Sequence, residues 1–208
     1  MKAHTKETQS TMTPQKAIQF LKEGNERFQR NLKANRNLLE QVNDTKDGQF
    51  PFATILSCID SRVSAELVFD QGLGDIFSIR IAGNFVNEDI LGSMEFACKL
   101  AGTKLIVVLG HTSCGAVKGA CDHARMGNLT ALINKIEPAV YAVEEPQEKE
   151  KRNSSNLEFV DAVSKKNVEM TLDNIRSQSV ILKEMEEKGE IKIVGAMYDI
   201  SSGGVNFY

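Results

Sequence analysis

The chain has 208 residues, 41% of them apolar and 25% charged, with a formal net charge of −3. That length suits one sizeable domain and is short for two, and the charge, with no lysine/arginine cluster, offers no surface for nucleic acid. Four cysteines are too few for a disulfide framework, the polar N-terminus lacks the apolar core of a signal peptide, and no apolar run approaches the roughly 18 residues of a membrane helix, so a cytoplasmic protein without membrane partners is expected.

In chain order, residues 1–12 read as a loose, disordered tail and 13–208 as a single domain. Thr13 is a suitable N-cap and Pro14 suits a first helical turn. Ala17, Phe20, Leu21 and Phe28 share one face of the helix that follows. "FATILS" (52–57) is a short continuous apolar run of the kind that forms a parallel strand buried on both faces. "SAELVFD" (64–70) reads as a short helix and "DIFSIRIA" (75–82) as a second strand. Residues 88–102 read as a helix stopped by Gly102. "KLIVVLG" (104–110) is the clearest buried strand. Two helices follow, within 115–126 and 129–143, then a charged, solvated loop over 144–156. One long amphipathic helix is expected over 157–189, closed by Gly189. "IKIVGAMYDISSGGVNFY" ends the chain as a strand, a Gly-rich turn and an edge segment. The alternation predicts an α/β fold: a mainly parallel central sheet of about four strands plus an antiparallel C-terminal edge strand, flanked by helices.

Ligand sites in open α/β sheets form beyond the carboxyl ends of the strands. Two strands here end in reactive residues. The first runs into Cys58-Ile-Asp60-Ser-Arg62, the second into His111-Thr-Ser-Cys114. Side by side, they would bring Cys58, His111 and Cys114 to one point. Two thiolates and an imidazole are a zinc set that leaves a fourth position open, the catalytic arrangement. Against this, the three could be buried small residues and a satisfied histidine, but a carboxylate and a guanidinium beside one of them argue for chemistry. Other motifs fail. Arg62 is too near Cys58 for a phosphatase loop, no Lys-Ser/Thr pair follows Gly115 as a phosphate loop requires, and "GLGDIF" lacks the third glycine of a dinucleotide site. Cys121 and Cys98 read as small buried residues, with Cys121 a conceivable spare ligand. His123 reads as a surface residue rather than a proton shuttle, and Gly83-Asn84 as a turn shaping the pocket floor.

C-x-D-x-R followed some fifty residues later by H-x-x-C resembles the β-class carbonic anhydrases. "TPQKAIQFLKEGNERF", "CIDSRVSAELVFDQGLGDIFSIRIAGN" and "LIVVLGHTSCGAVKGA" are similar to the same family. The resemblance implies one Zn2+ per chain on Cys58, His111 and Cys114, and reversible hydration of CO2 to bicarbonate and a proton by hydroxide formed at the zinc. Asp60 and Arg62 would form a dyad that orients the zinc water. Asp60 would become a fourth ligand only in a closed, inactive form. Gln49 stands where one subtype has a substrate-contacting glutamine. Ile55 replaces the tryptophan of the bicarbonate-regulated subtype, although Arg80 and Tyr198 match other residues of its site. Phe77, Phe96 and Gly115 match pocket positions, the two aromatics often coming from a neighbouring subunit. A homodimer, possibly pairing into tetramers, is implied, with the N-terminal helix wrapped on the partner; packing on its own subunit is the alternative. Hydrolysis of carbonyl sulfide or carbon disulfide, or non-catalytic zinc binding, are the competing functions.

Overall fold

In the computed structural model, which describes residues 2–208, five strands form one sheet: β1 (Ala53–Ser57), β2 (Ile76–Arg80), β3 (Leu105–His111), β4 (Lys192–Tyr198) and β5 (Val205–Phe207). Their order is β2-β1-β3-β4-β5, with every pair parallel except β4 and β5. The helices are α1 (Lys6–Ser10), α2 (Pro14–Gln29), α3 (Leu38–Thr45), α4 (Ala65–Val68), α5 (Glu88–Glu95), α6 (Gly115–Cys121), α7 (Gly127–Ala142), α8 (Leu157–Gln178) and α9 (Val180–Glu187). The α/β architecture is the one the alternation predicted.

Cover on both faces explains why β1 and β3 are buried throughout. Ala53, Ile55, Leu105, Val107 and Leu109 point to one face, against Ala17 and Leu21 of α2 and Val68 of α4. Leu56, Ile106 and Val108 point to the other, against Met94 of α5, Val168 and Leu172 of α8, and Leu182 of α9. A third cluster joins α6, α7 and the start of α8 around Val117, Ile133, Ile136 and Phe159. Among the described residues no helix is long and apolar enough to cross a membrane.

Four local expectations change. Residues 6–10, read as part of a loose tail, form α1, capped by Thr5. Gln9 Nε2 donates to the carbonyls of Pro51 at 2.7 Å and Ala101 at 2.8 Å, which pins this segment to the sheet. The long C-terminal helix is two helices, because Ser179 leaves the helical region and its Oγ accepts from Leu182 N–H as the cap of α9. Residues 96–100 at the end of the 88–102 helix take a π-helical turn. Helix α3, capped by Asn37, had no counterpart in the sequence reading. The buried face of α2 lies on its own chain: a side chain at Gly24 would collide with the Phe69 carbonyl, and Asn25 Nδ2 donates to the carbonyls of Val68 and Gly203.

Candidate metal centre

β1 and β3 are neighbours in register, Ser57 beside Leu109. The residues just past that pair therefore emerge together at the carboxyl edge of the sheet. Cys58 follows Ser57 directly. His111 closes β3. A tight turn through Thr112 and Ser113, the latter at φ +54°, then returns Cys114 as the N-cap residue of α6.

Among the described residues, one group of three or more histidine, cysteine or acidic donors lies together: Cys58, His111 and Cys114, with donor atoms within 4.8 Å of one another and all three residues buried. The two Sγ atoms are 3.9 Å apart. Two thiolates about 2.3 Å from a tetrahedral metal would stand about 3.8 Å apart, so the spacing fits. The imidazole is set for the same task. Nδ1–H donates to the Thr112 carbonyl at 2.9 Å, which leaves the Nε2 lone pair facing the sulfurs. That atom is fully buried and has no hydrogen-bond partner among the described residues, a costly state unless a cation accepts its electrons. The donor set fits Zn2+.

The thiols are unequal. A hydrogen bond from Cys114 pulls the Cys58 thiol down to about 4 against the opposing effect of burial, with further pull from His111 and the Gly83 N–H. Cys114 is pushed up, because it holds the proton shared with Cys58 and is itself buried. One thiol of the pair gives up its proton readily, and a dication binding both sulfurs displaces the other.

Asp60 and Arg62 sit at the rim. Arg62 Nε donates to Asp60 Oδ1 at 2.9 Å and Nη2 to Oδ2 at 2.7 Å, and the Arg62 backbone N–H adds a third bond to Oδ1 at 3.0 Å. The Arg62 fork holds the Asp60 carboxyl well below the usual carboxylate range. Asp60 Oδ2 stands 4.0 Å from His111 Nε2. Arg80 braces the loop from behind, donating to the carbonyls of Cys58 at 2.9 Å and Asp60 at 2.7 Å.

A cavity of about 290 Å³ opens on the cluster, lined by Cys58, Ile59, Asp60, Ala82, Gly115, Ala116, Gly119, Leu129 and Ile133. Gly115 is among the residues that line it. The apolar wall from α6 and α7 was not anticipated, since nothing in Leu129 or Ile133 distinguishes it from core until the helices are packed. Within one chain, Gln49, Phe77 and Phe96 do not join the cluster. Gln49 lies ahead of β1, at the opposite end of that strand from Cys58, beside Thr45, Leu73 and Gly74. Phe77 and Phe96 face each other at 6.2 Å across a separate groove and Phe96 is exposed. Cys121 and Cys98 are buried thiols outside the cluster, each pushed up to about 11 by burial. His123 is exposed and pairs with Glu137 at 2.9 Å.

Residues 53–205 match the family model described as carbonic anhydrase. The chain is 35% identical over 196 residues to carbonic anhydrase 2 of Mycobacterium tuberculosis, covering 91% of this chain and 90% of that one. It is 33% identical to the carbonic anhydrase of Mycolicibacterium smegmatis, covering 92% of each. Two solved structures bear on the fold: the β-carbonic anhydrase CcaA, at TM-score 0.71 and 24% identity over 93% of this chain and 85% of that one, and a tetrameric β-carbonic anhydrase of Sordaria macrospora, at 0.67 and 22% over 78% and 82%. With the family model spanning strands β1 to β4 and the Cys–His–Cys cluster inside it, the chain belongs to the β-class carbonic anhydrases.

Proposed function

We propose that this protein interconverts CO2 and bicarbonate with one Zn2+ held by Cys58, His111 and Cys114. The observation that carries this is the buried donor triad with an ionised, fork-held Asp60 4.0 Å from its imidazole. Zn2+, when bound at such a site, acidifies water to a pKa of about 7 and so makes a nucleophile available at neutral pH.

The chain's own residues do the rest. Ala82, Ala116, Leu129 and Ile133 give the small CO2 molecule an apolar wall beside Cys58. Asp60 accepts a hydrogen bond from the attacking water and aims its oxygen at the CO2 carbon. Arg62 keeps that carboxylate charged and pointed, which an exposed lysine without the fork geometry would do poorly. The proton released leaves toward the Arg62 rim, where the site meets solvent. Arg80, already engaged with two backbone carbonyls, serves as a brace for the Cys58–Asp60 loop.

Gln49, Phe77 and Phe96 are assigned to a neighbouring subunit's pocket, in a homodimer that can pair further. Exposed apolar side chains around the N-terminal arm, Leu32, Leu38, Leu39, Val42 and Leu67, support such an association.

The test is stopped-flow CO2 hydration with a pH indicator on zinc-loaded protein, with metal content measured alongside. Rapid hydration above neutrality that disappears on chelation supports the reading. One zinc per chain without hydration at any pH overturns it.

A further inference from the structure

Helix α8 bonds one loop that carries metal donors and reaches the Cys58 sulfur through Gly83. It packs directly on the end of β3, where a side chain at Gly110 would meet Val168 Cγ2 at 2.6 Å. From its first half, Asp161 Oδ1 accepts the Ser113 N–H at 2.7 Å. Ser113 lies between His111 and Cys114 and holds φ +54°, a region that L-residues populate sparsely and leave unless something keeps them there. Two turns further, about 9 Å along the axis, the buried Asn167 donates through Nδ2 to the Gly83 carbonyl at 2.8 Å. Gly83, at φ +79°, turns its N–H to Cys58 Sγ at 3.5 Å. One polar side chain of α8 thus holds the His111–Cys114 loop directly, and a second holds Gly83, whose N–H meets the Cys58 sulfur.

We propose that Asp161 and Asn167 are positioning residues of the metal centre. Asp161 fixes the His111-to-Cys114 spacing through Ser113, and Asn167 aims the Gly83 N–H at the Cys58 sulfur. The inference rests on the assignment of Cys58, His111 and Cys114 as metal donors. A short carboxylate bond to a strained peptide N–H is a directional restraint. A hydrogen bond to a ligand sulfur draws charge from it, and outer partners of this kind set metal affinity and the donor strength the metal feels. Ordinary helix packing would need neither side chain: both bonds end on backbone groups within two residues of a metal donor or in contact with one.

The full chain is loaded with Co2+ and its thiolate-to-cobalt charge-transfer band recorded, with Zn2+ and Co2+ affinities measured by chelator competition. Asp161→Ala and Asn167→Asp, the latter of the same shape but with no donor for the Gly83 carbonyl, are each expected to weaken metal binding about 10- to 100-fold and to shift the band. Asp161→Asn, which keeps an acceptor oxygen for Ser113, is expected to restore most of the affinity and the wild-type band. Unchanged affinity and spectrum in both Asp161→Ala and Asn167→Asp, even with a lower melting temperature, would overturn the proposal, since that is what a purely structural role predicts. If Asn167→Asp does not fold, the Asp161 pair decides. Wild-type protein with the thiolate band but no CO2 hydration sinks the proposed activity and leaves this inference standing. Wild-type protein without the band removes the metal centre on which it depends.

Discussion

Asp60 and Arg62 are joined by two side-chain bonds, Nη2 to Oδ2 at 2.7 Å and Nε to Oδ1 at 2.9 Å, which turn the carboxylate toward the guanidinium at the mouth of the site. The pairing is only two residues apart in sequence and the backbone N–H of Arg62 caps the same oxygen. The dyad is therefore a local motif, ready before the rest of the site assembles.

Asp60→Asn keeps the size of the side chain and removes its charge. Zinc content should stay at one per chain, and kcat/KM for hydration should fall about 10²-fold, the usual consequence of losing a group that orients or polarises the nucleophile. Stopped-flow rates beside metal analysis decide it. Full activity in the zinc-loaded variant would remove Asp60 from the reaction.

His111→Ala deletes the donor whose Nε2 is buried without a hydrogen-bond partner among the described residues. Chelator competition should show zinc affinity falling by orders of magnitude, and hydration should go with it. Cys58→Ser and Cys114→Ser should act in the same direction. Wild-type affinity in all three would mean that the metal sits elsewhere.

Asp70 ties Arg27, Arg36 and the Ala34 N–H together behind α2, at 2.5, 2.5 and 2.9 Å. Burial alone would raise its carboxyl, but the bonds from Arg27, Ala34 and Arg36 bring it below its ordinary 3.8. A lowered folded value means that the contribution is complete above about pH 4 and is lost as pH falls through the folded value. Asp70→Asn should cost about 3 kcal/mol at neutral pH, because it removes the carboxylate charge that faces the buried Arg36 and the partly exposed Arg27. Melting curves against pH should show the variant starting lower and losing less than wild type on acidification. Parallel curves would exclude Asp70 as an acid-sensitive group.

Gly110→Ala places a methyl 2.6 Å from Val168 Cγ2 and 2.7 Å from Met197 Sδ. Overpacking of this kind costs about 1–3 kcal/mol. Because Gly110 precedes His111, zinc affinity should drop together with the melting temperature. A destabilised variant with wild-type zinc affinity would show the strain absorbed away from β3.

The sequence by itself determined the strands, the donors and the dyad, and each for a local reason. The Val/Ile/Leu run at 105–109 and the largely apolar 52–56 suit strands covered on both faces. Cys58, Asp60 and Arg62 follow one of them closely, and His111 and Cys114 follow the other, so a parallel sheet brings them together at one edge. The break at Ser179 was not legible, because apolar periodicity runs through it and the only sign is the capping hydroxyl. The early segment 6–10 has no buried residue of its own, and the bonds from Gln9 to Pro51 and Ala101 tie it down. The apolar wall of α6 and α7, the remoteness of Gln49, Phe77 and Phe96 from the cluster of their own chain, and the reach of Asp161 and Asn167 to the ligand loops were decided by the tertiary structure. Those relationships join residues tens of positions apart, and their distances are set by how helices pack on a sheet, which no local pattern of residue types encodes.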